Sequence, residues 1–228
     1  MYGSKLEVKR FEDRILQYEA EPVVKGKILF YGHSLFTRCS FITKAGKDNP
    51  KLVDEVRMKD GSQACINHGF GTSSADDLLY YYHRMVRPYE PRVLVLATQA
   101  NDVGFGYSAK EIMEIEARII DWAQADFPGI KIYCFGCSPV LKYKGQENID
   151  SRVRRTEYNE VLKDYCKRKE NVTYVSLIDQ PFFFENPEDV GDYDKIREDI
   201  YANDNAHLNP KGYALFMDFL RELLDEYL

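Results

Sequence analysis

RVLVLAT (92–98) is the stretch of the chain that decides the fold. It is an unbroken run of valine and leucine, entered just after Pro88 and Pro91. A strand that is apolar at every position has no face for water. That is the condition of a strand inside a parallel sheet with helices on both sides. Runs of the same kind lie to either side: KILFYG (27–32), KIYCFG (131–136) and VTYVSLI (172–178), with QACINH (63–68) as a weaker fifth. The segments between them read as helices. Residues 5–19 are amphipathic, with Leu6, Phe11, Ile15, Leu16 and Tyr18 available to one broad face. Thr72-Ser73-Ser74 caps a helix that runs to about Arg87, and Ser108-x-x-Glu111 is a capping box for one that runs to about Asp126. Residues 151–169 are helical, and Asn209 and Pro210 suit the cap and first position of a last helix. Strands that alternate with helices predict an α/β fold. The expectation is a single domain over 1–228, a three-layer α/β/α sandwich with a mostly parallel five-stranded central sheet. The longest irregular region, 179–203, carries Phe182-Phe183-Phe184 and then an acidic segment, and it reads as a loop or lid beside a site.

Composition narrows the function. The chain has 228 residues, 44% hydrophobic and 30% charged, which suits a globular protein with a real core. A net charge of -6 without a basic block argues against a nucleic-acid partner. No apolar run approaches the ~20 residues of a membrane span. The N-terminal stretch is charged throughout and lacks the apolar region of a signal peptide, so the expected location is cytoplasmic. Five cysteines leave at least one without an intrachain partner, and reduced thiols are expected. Cys134 and Cys137 form a C-x-x-C, but it runs from a strand into a loop rather than opening a helix, so both read as core thiols. His33, His68, His83 and His207 show no ligand spacing, and no metal is expected. Gly69 and Gly71 are not a dinucleotide fingerprint, because Ser74 stands where the third glycine would be. No cofactor is expected.

In open α/β sheets, ligands bind beyond the carboxyl ends of the strands. The residues there are Gly32-His33-Ser34, Gly69-Phe70-Gly71-Thr72, Gln99-Ala100-Asn101-Asp102 and Ser138-Pro139. The segment Asp204-Asn205-Ala206-His207 opens on the same edge, just before the last helix. A carboxylate three residues before a histidine can orient the imidazole and stabilise its charged form, which makes His207 a candidate general base. A serine hydroxyl needs such a base, and Ser34, after a strand and a glycine, can be the nucleophile of a Ser-His-Asp set. A tetrahedral oxyanion would need preorganised donors: the Ser34 N–H, an N–H in the Gly71-Thr72 turn and the Asn101 amide. Each element also has a plainer reading. A serine after a strand is usually a turn residue, Asn101-Asp102 a helix-entry pair, and His207 a satisfied, partly buried histidine. Their order along one sheet edge favours the site.

Four blocks, ILFYGHSLFTR, INHGFGTSSADDLL, LVLATQANDVGFG and DNAHLNPKGY, resemble those of the SGNH (GDSL-like) hydrolase family. The chain is similar in particular to a branch with an N-terminal helix ending in Phe11-Glu12 and an arginine in the first block, here Arg38. Tyr89-Glu90-Pro91-Arg92-Val93 and Ser138-Pro139-Val140 also fit that branch. The resemblance spans nearly the whole chain and implies the flavodoxin-like SGNH fold. It implies an esterase with Ser34 as nucleophile, His207 as base and Asp204 as its partner. The oxyanion donors would be Ser34, Thr72 through its backbone, and Asn101. His33, Arg38, Gly71, Gln99 and Phe105 fall where a substrate pocket is expected. Three residues depart from the family pattern. His33 replaces an acid or serine, and Thr72 and Gln99 replace glycines. Thr72 is β-branched and resists the positive φ that a glycine allows. His33 reads either as a modulator of the nucleophile or as a position that tolerates many side chains. The implied partner is a small-molecule ester, acyl or acetylated sugar. A non-catalytic sugar- or acyl-binding protein, or an acyltransferase using the same residues, is the alternative.

Overall fold

The computed structural model describes residues 7, 9–98 and 101–228. Its strands are β1 (Ile28–Gly32), β2 (Cys65–Gly69), β3 (Val93–Ala97), β4 (Lys131–Phe135) and β5 (Val172–Val175). They form one sheet in the order β2-β1-β3-β4-β5, every neighbouring pair parallel. Its helices are α1 (Glu12–Glu19), α2 (Ser34–Thr37), α3 (Leu52–Glu55), α4 (Ala75–Met85), α5 (Ala109–Asp126), α6 (Asp150–Cys166) and α7 (Pro210–Leu223). The expected α/β/α sandwich with its five-stranded sheet is the observed fold.

The apolar strands explain the layers. All residues of β1 and β3 are buried, and side chains alternate between two cores. Leu29, Tyr31, Leu94 and Leu96 join one core with the inner faces of α1, α4, α5 and α6. Ile28, Phe30, Val93 and Val95 join the other with α2, α3 and α7. In-register pairs such as Phe30↔Val95 and Gly32↔Ala97 bring the ends of β1 and β3 level at the edge where the site lies. Gly32 is required there. A Cβ on it would stand 2.3 Å from the Ala97 carbonyl oxygen.

Element ends differ from the sequence reading in instructive ways. The helix expected over 5–19 begins at Glu12, with residues 9–11 in a turn; Lys5 and Leu6 lie outside the described residues. Arg10 is drawn away from a helical course by an ion pair with Asp77 at 2.5 Å. Of the expected Thr72-Ser73-Ser74 cap, Ser74 is the residue that caps α4, while Thr72 is left-handed at φ 63 and lies outside the helix. α2 and α3 have four residues each, too short for an apolar period to reveal. Residues 179–203 form short 3-10 turns, and Phe183, Ile196 and Ile200 are buried in the second core. That segment is a packed wall. All five cysteines are buried. Among the described residues no helix is long and apolar enough to cross a membrane.

Candidate active site

Ser34 is the first residue of α2, immediately after β1 and His33. A first-turn N–H has no acceptor within its own helix. The Ser34 N–H has none elsewhere among the described residues either. His33 caps α2: its buried ring accepts a hydrogen bond from the Leu35 N–H at Nδ1, 3.2 Å away. Burial pushes the His33 pKa down to about 3, with the positive charge of Arg155 acting in the same direction. The ring is therefore neutral at physiological pH, and an accepting Nδ1 puts its proton on Nε2.

His207 is fixed from both sides by its backbone. Its carbonyl accepts from the Ala202 N–H at 2.8 Å, and Leu208 bridges Tyr201. Asn209 then caps α7 through the Gly212 N–H, as its sequence position suggests. The His207 Nε2 lies 2.9 Å from Ser34 Oγ, and its Nδ1 lies 2.8 Å from Asp204 Oδ2. In the neutral ring, Nδ1–H donates to the carboxylate and Nε2 accepts from the serine hydroxyl. Asp204 Oδ1 accepts the Ala206 and His207 N–H groups, each at 3.0 Å, within a loop whose Asn205 is left-handed at φ 52. Burial would raise the Asp204 carboxyl, but these N–H bonds and the His207 ring outweigh it and hold it below the usual range. For His207, burial lowers the pKa and the Asp204 bond raises it. The charges of Arg38 and Lys142 lower it further, and the net shift is downward. Arg38 Nη2 donates to Asp204 Oδ2 at 3.0 Å, the same oxygen that faces His207. This arrangement can pass a proton from a serine hydroxyl to an imidazole and stabilise the cation formed.

The opposite side is built by the loops after β2 and β3. Asn101 Nδ2 donates to the Ser73 carbonyl at 2.9 Å, which leaves its second N–H for another acceptor. Asp102, fully buried, accepts the Ala75 N–H at 2.8 Å and so caps the start of α4. Thr72 occupies the left-handed region at φ 63, and its N–H has no acceptor among the described residues. Its carbonyl accepts from Arg10 Nη2 at 2.9 Å. Gly71 backs onto the serine: a Cβ there would lie 3.9 Å from the Ser34 Cβ.

A cavity of 160 Å³ holds His33, Ser34, Asn101 and His207 together. A second, of 230 Å³, adjoins it, shares Asn101, Lys142, Tyr143 and Arg155, and contains Phe105. Thr72 and Arg38 do not line the serine cavity, and Gly71 lines a separate one beside Arg10 and Phe11. Gln99 lies outside the described residues. The sequence reading missed Lys142, Tyr143 and Arg155. Arg155 carried a signal, since it shares the buried stripe of α6 with Tyr158, Leu162 and Cys166. A charged residue on an apolar helix face is there for a reason.

The chain matches the model of the GDSL-like Lipase/Acylhydrolase family over residues 31–215. No curated protein matches it. Among solved structures, a GDSL-like lipase from Bacteroides thetaiotaomicron superposes with a TM-score of 0.71 at 17% identity, over 97% of this chain and 100% of that one. A variant of Axe2, an acetyl-xylooligosaccharide esterase from Geobacillus Stearmophilus, gives 0.65 at 17% identity, over 91% and 96%. A lipase/acylhydrolase from Enterococcus faecalis gives 0.62 at 17% identity, over 87% and 95%. At such identities the structures speak for the fold, and the family model speaks for descent. The chain belongs to the GDSL-like lipase/acylhydrolase family.

Proposed function

We propose that this protein is a serine ester hydrolase that cleaves a short-chain carboxylic ester through an acyl-enzyme on Ser34. The observation that carries the reading is the continuous contact from Ser34 Oγ to His207 Nε2 at 2.9 Å and from His207 Nδ1 to Asp204 Oδ2 at 2.8 Å. As Oγ attacks the ester carbonyl carbon, its proton passes to His207 Nε2. The imidazolium is stabilised by Asp204, which stays ionised. The carbonyl oxygen becomes an oxyanion, and the N–H groups of Ser34 and Thr72 with the Asn101 amide are its donors. Collapse breaks the bond to the alcohol oxygen, which takes the proton from His207. Water then attacks the acyl-enzyme while His207 removes its proton. A second collapse releases the carboxylic acid and returns the proton to Ser34.

The 160 Å³ cavity favours a small acyl group. The likeness in fold to an acetyl-xylooligosaccharide esterase is consistent with acetyl esters. The test is hydrolysis of 4-nitrophenyl acetate by Ser34→Ala. Removal of the nucleophile is expected to lower kcat by about 10⁴-fold or more. A variant that keeps the wild-type rate would sink the mechanism.

A further inference from the structure

The chain is acidic overall, with a net charge of -6, yet the site is lined by the opposite sign. The serine cavity and its neighbour share two cationic side chains, Lys142 and Arg155, and no carboxylate lines either one among the described residues. The nearby cations on the same stretch of chain are matched. Lys144 pairs with Glu198 at 3.1 Å, and Arg152 pairs with Asp194 at 2.6 Å. The Lys142 ammonium makes no salt bridge among the described residues, and its neighbour is the Tyr143 ring at 4.9 Å. Its backbone is nonetheless held in place. The Lys142 N–H donates to the Asn205 carbonyl at 2.9 Å, which ties it to the loop that carries Asp204 and His207. Arg155 is buried in α6, and its Nη2 donates to the Ser138 carbonyl at 2.8 Å, just past the end of β4. The charges of both reach the site, Lys142 acting on His207 and Arg155 on His33.

A cation fixed beside a reacting centre, in a cleft without its own counter-ion, is a seat for an anion from outside. We propose that the substrate is a small ester bearing an anionic group (carboxylate, phosphate or sulfate), seated where Lys142 and Arg155 join the two cavities. The inference rests on the reading of Ser34 as nucleophile. The ester carbonyl sits at Ser34 and Asn101, and the charged end of the molecule reaches into the second cavity. Arg155 adds its buried positive charge, and Lys142, with no salt bridge among the described residues, brings an ammonium to the rim.

The test uses the full chain and three acetate esters of matched size: 4-carboxyphenyl, 4-carbamoylphenyl and 4-(trimethylammonio)phenyl acetate. Each kcat/KM is divided by the ester's own hydroxide-catalysed rate to remove leaving-group reactivity. The anionic ester is expected to exceed the neutral one by about tenfold, the ratio given by 1.4 kcal/mol of differential binding. The cationic ester falls below both, and the spread narrows as salt is added. Lys142 is exposed, so its replacement leaves the core intact. Lys142→Met is expected to shrink the anionic-to-neutral ratio, and Lys142→Glu to invert it. Equal values for the three esters, or ratios unmoved by Lys142→Glu, would overturn the inference. So would a Lys142→Met variant that slows all three alike, because the cation would then serve the oxyanion. Ser34-dependent hydrolysis that is blind to charge sinks this inference alone. Hydrolysis that survives Ser34→Ala, or wild type that turns over none of the three, sinks the Ser34 reading with it.

Discussion

His33 stands where the resembling family has an acid or a serine, and the three side chains share one ability. Each can accept a hydrogen bond from an N–H at a helix start, which His33 does for Leu35. The sequence reading of position 33 as indifferent to its side chain overlooked this demand, because a four-residue helix leaves no periodic trace. Thr72 departs differently. It is left-handed at φ 63, a region that favours glycine, with its carbonyl braced by Arg10 at 2.9 Å. A β-branched residue in that region costs about 1–2 kcal/mol, more than the ~0.5–1 kcal/mol of chain entropy that glycine adds to the unfolded state. Thr72→Gly keeps the N–H, so it is expected to retain kcat and to melt no lower than wild type. A loss of activity would assign a role to the threonine side chain. Arg38 shares Asp204 Oδ2 with His207, and its charge helps to depress the histidine. As the proposed base, His207 must be neutral to accept a proton, so its lowered pKa is expected to extend activity to the acid side of the ordinary value near 6.5. Arg38→Met removes a cation and is expected to shift the acid limb of kcat/KM to higher pH. A limb that stays in place would reduce Arg38 to a structural contact. The Asp204–His207 pair was legible in the sequence because it is local. Its partner Arg38 lies 166 residues away, beyond what spacing can show.

Between elements, the loop after β3 is fastened to the start of α4. Asn101 binds the Ser73 carbonyl, Asp102 binds the Ala75 N–H, and Ser74 and Asp77 complete a capping box. Burial raises the Asp102 carboxyl well above its ordinary range, so this cap is bought by desolvation of an acid. The clasp holds Asn101 in the cavity that contains Ser34. Asn101→Ala is expected to lower kcat by about 10²–10³, as loss of one oxyanion donor does. An unchanged kcat, with only a lower melting temperature, would make Asn101 part of the clasp and nothing more. The long elements were legible: β1 and β3 from unbroken apolar runs, α5 from the Ser108–Glu111 capping box, and α7 from Asn209 and Pro210. α2, α3 and the start of α1 were not. Tertiary contacts set them, as Arg10 on Asp77 shows.

At the scale of the molecule, the parallel sheet performs the assembly. With β1 and β3 adjacent and in register, their carboxyl ends open together, and α7 carries its preceding loop to the same edge. Ser34 and His207 thus meet across 173 residues of sequence. That meeting was legible from strand order and from motifs that fall after strands. The cationic lining was harder to read, because Lys142 sits in a short irregular turn and Arg155, one of three arginines in α6, is marked only by its place on the apolar stripe. The proposed mechanism requires that the acyl group be carried covalently on Ser34 Oγ. Labelling with a fluorophosphonate, followed by mass mapping of peptides, reads that atom directly. The expected result is one adduct, on the peptide that contains Ser34, absent from Ser34→Ala and slowed in His207→Ala. An adduct at another residue, or none on the folded protein, would contradict the mechanism.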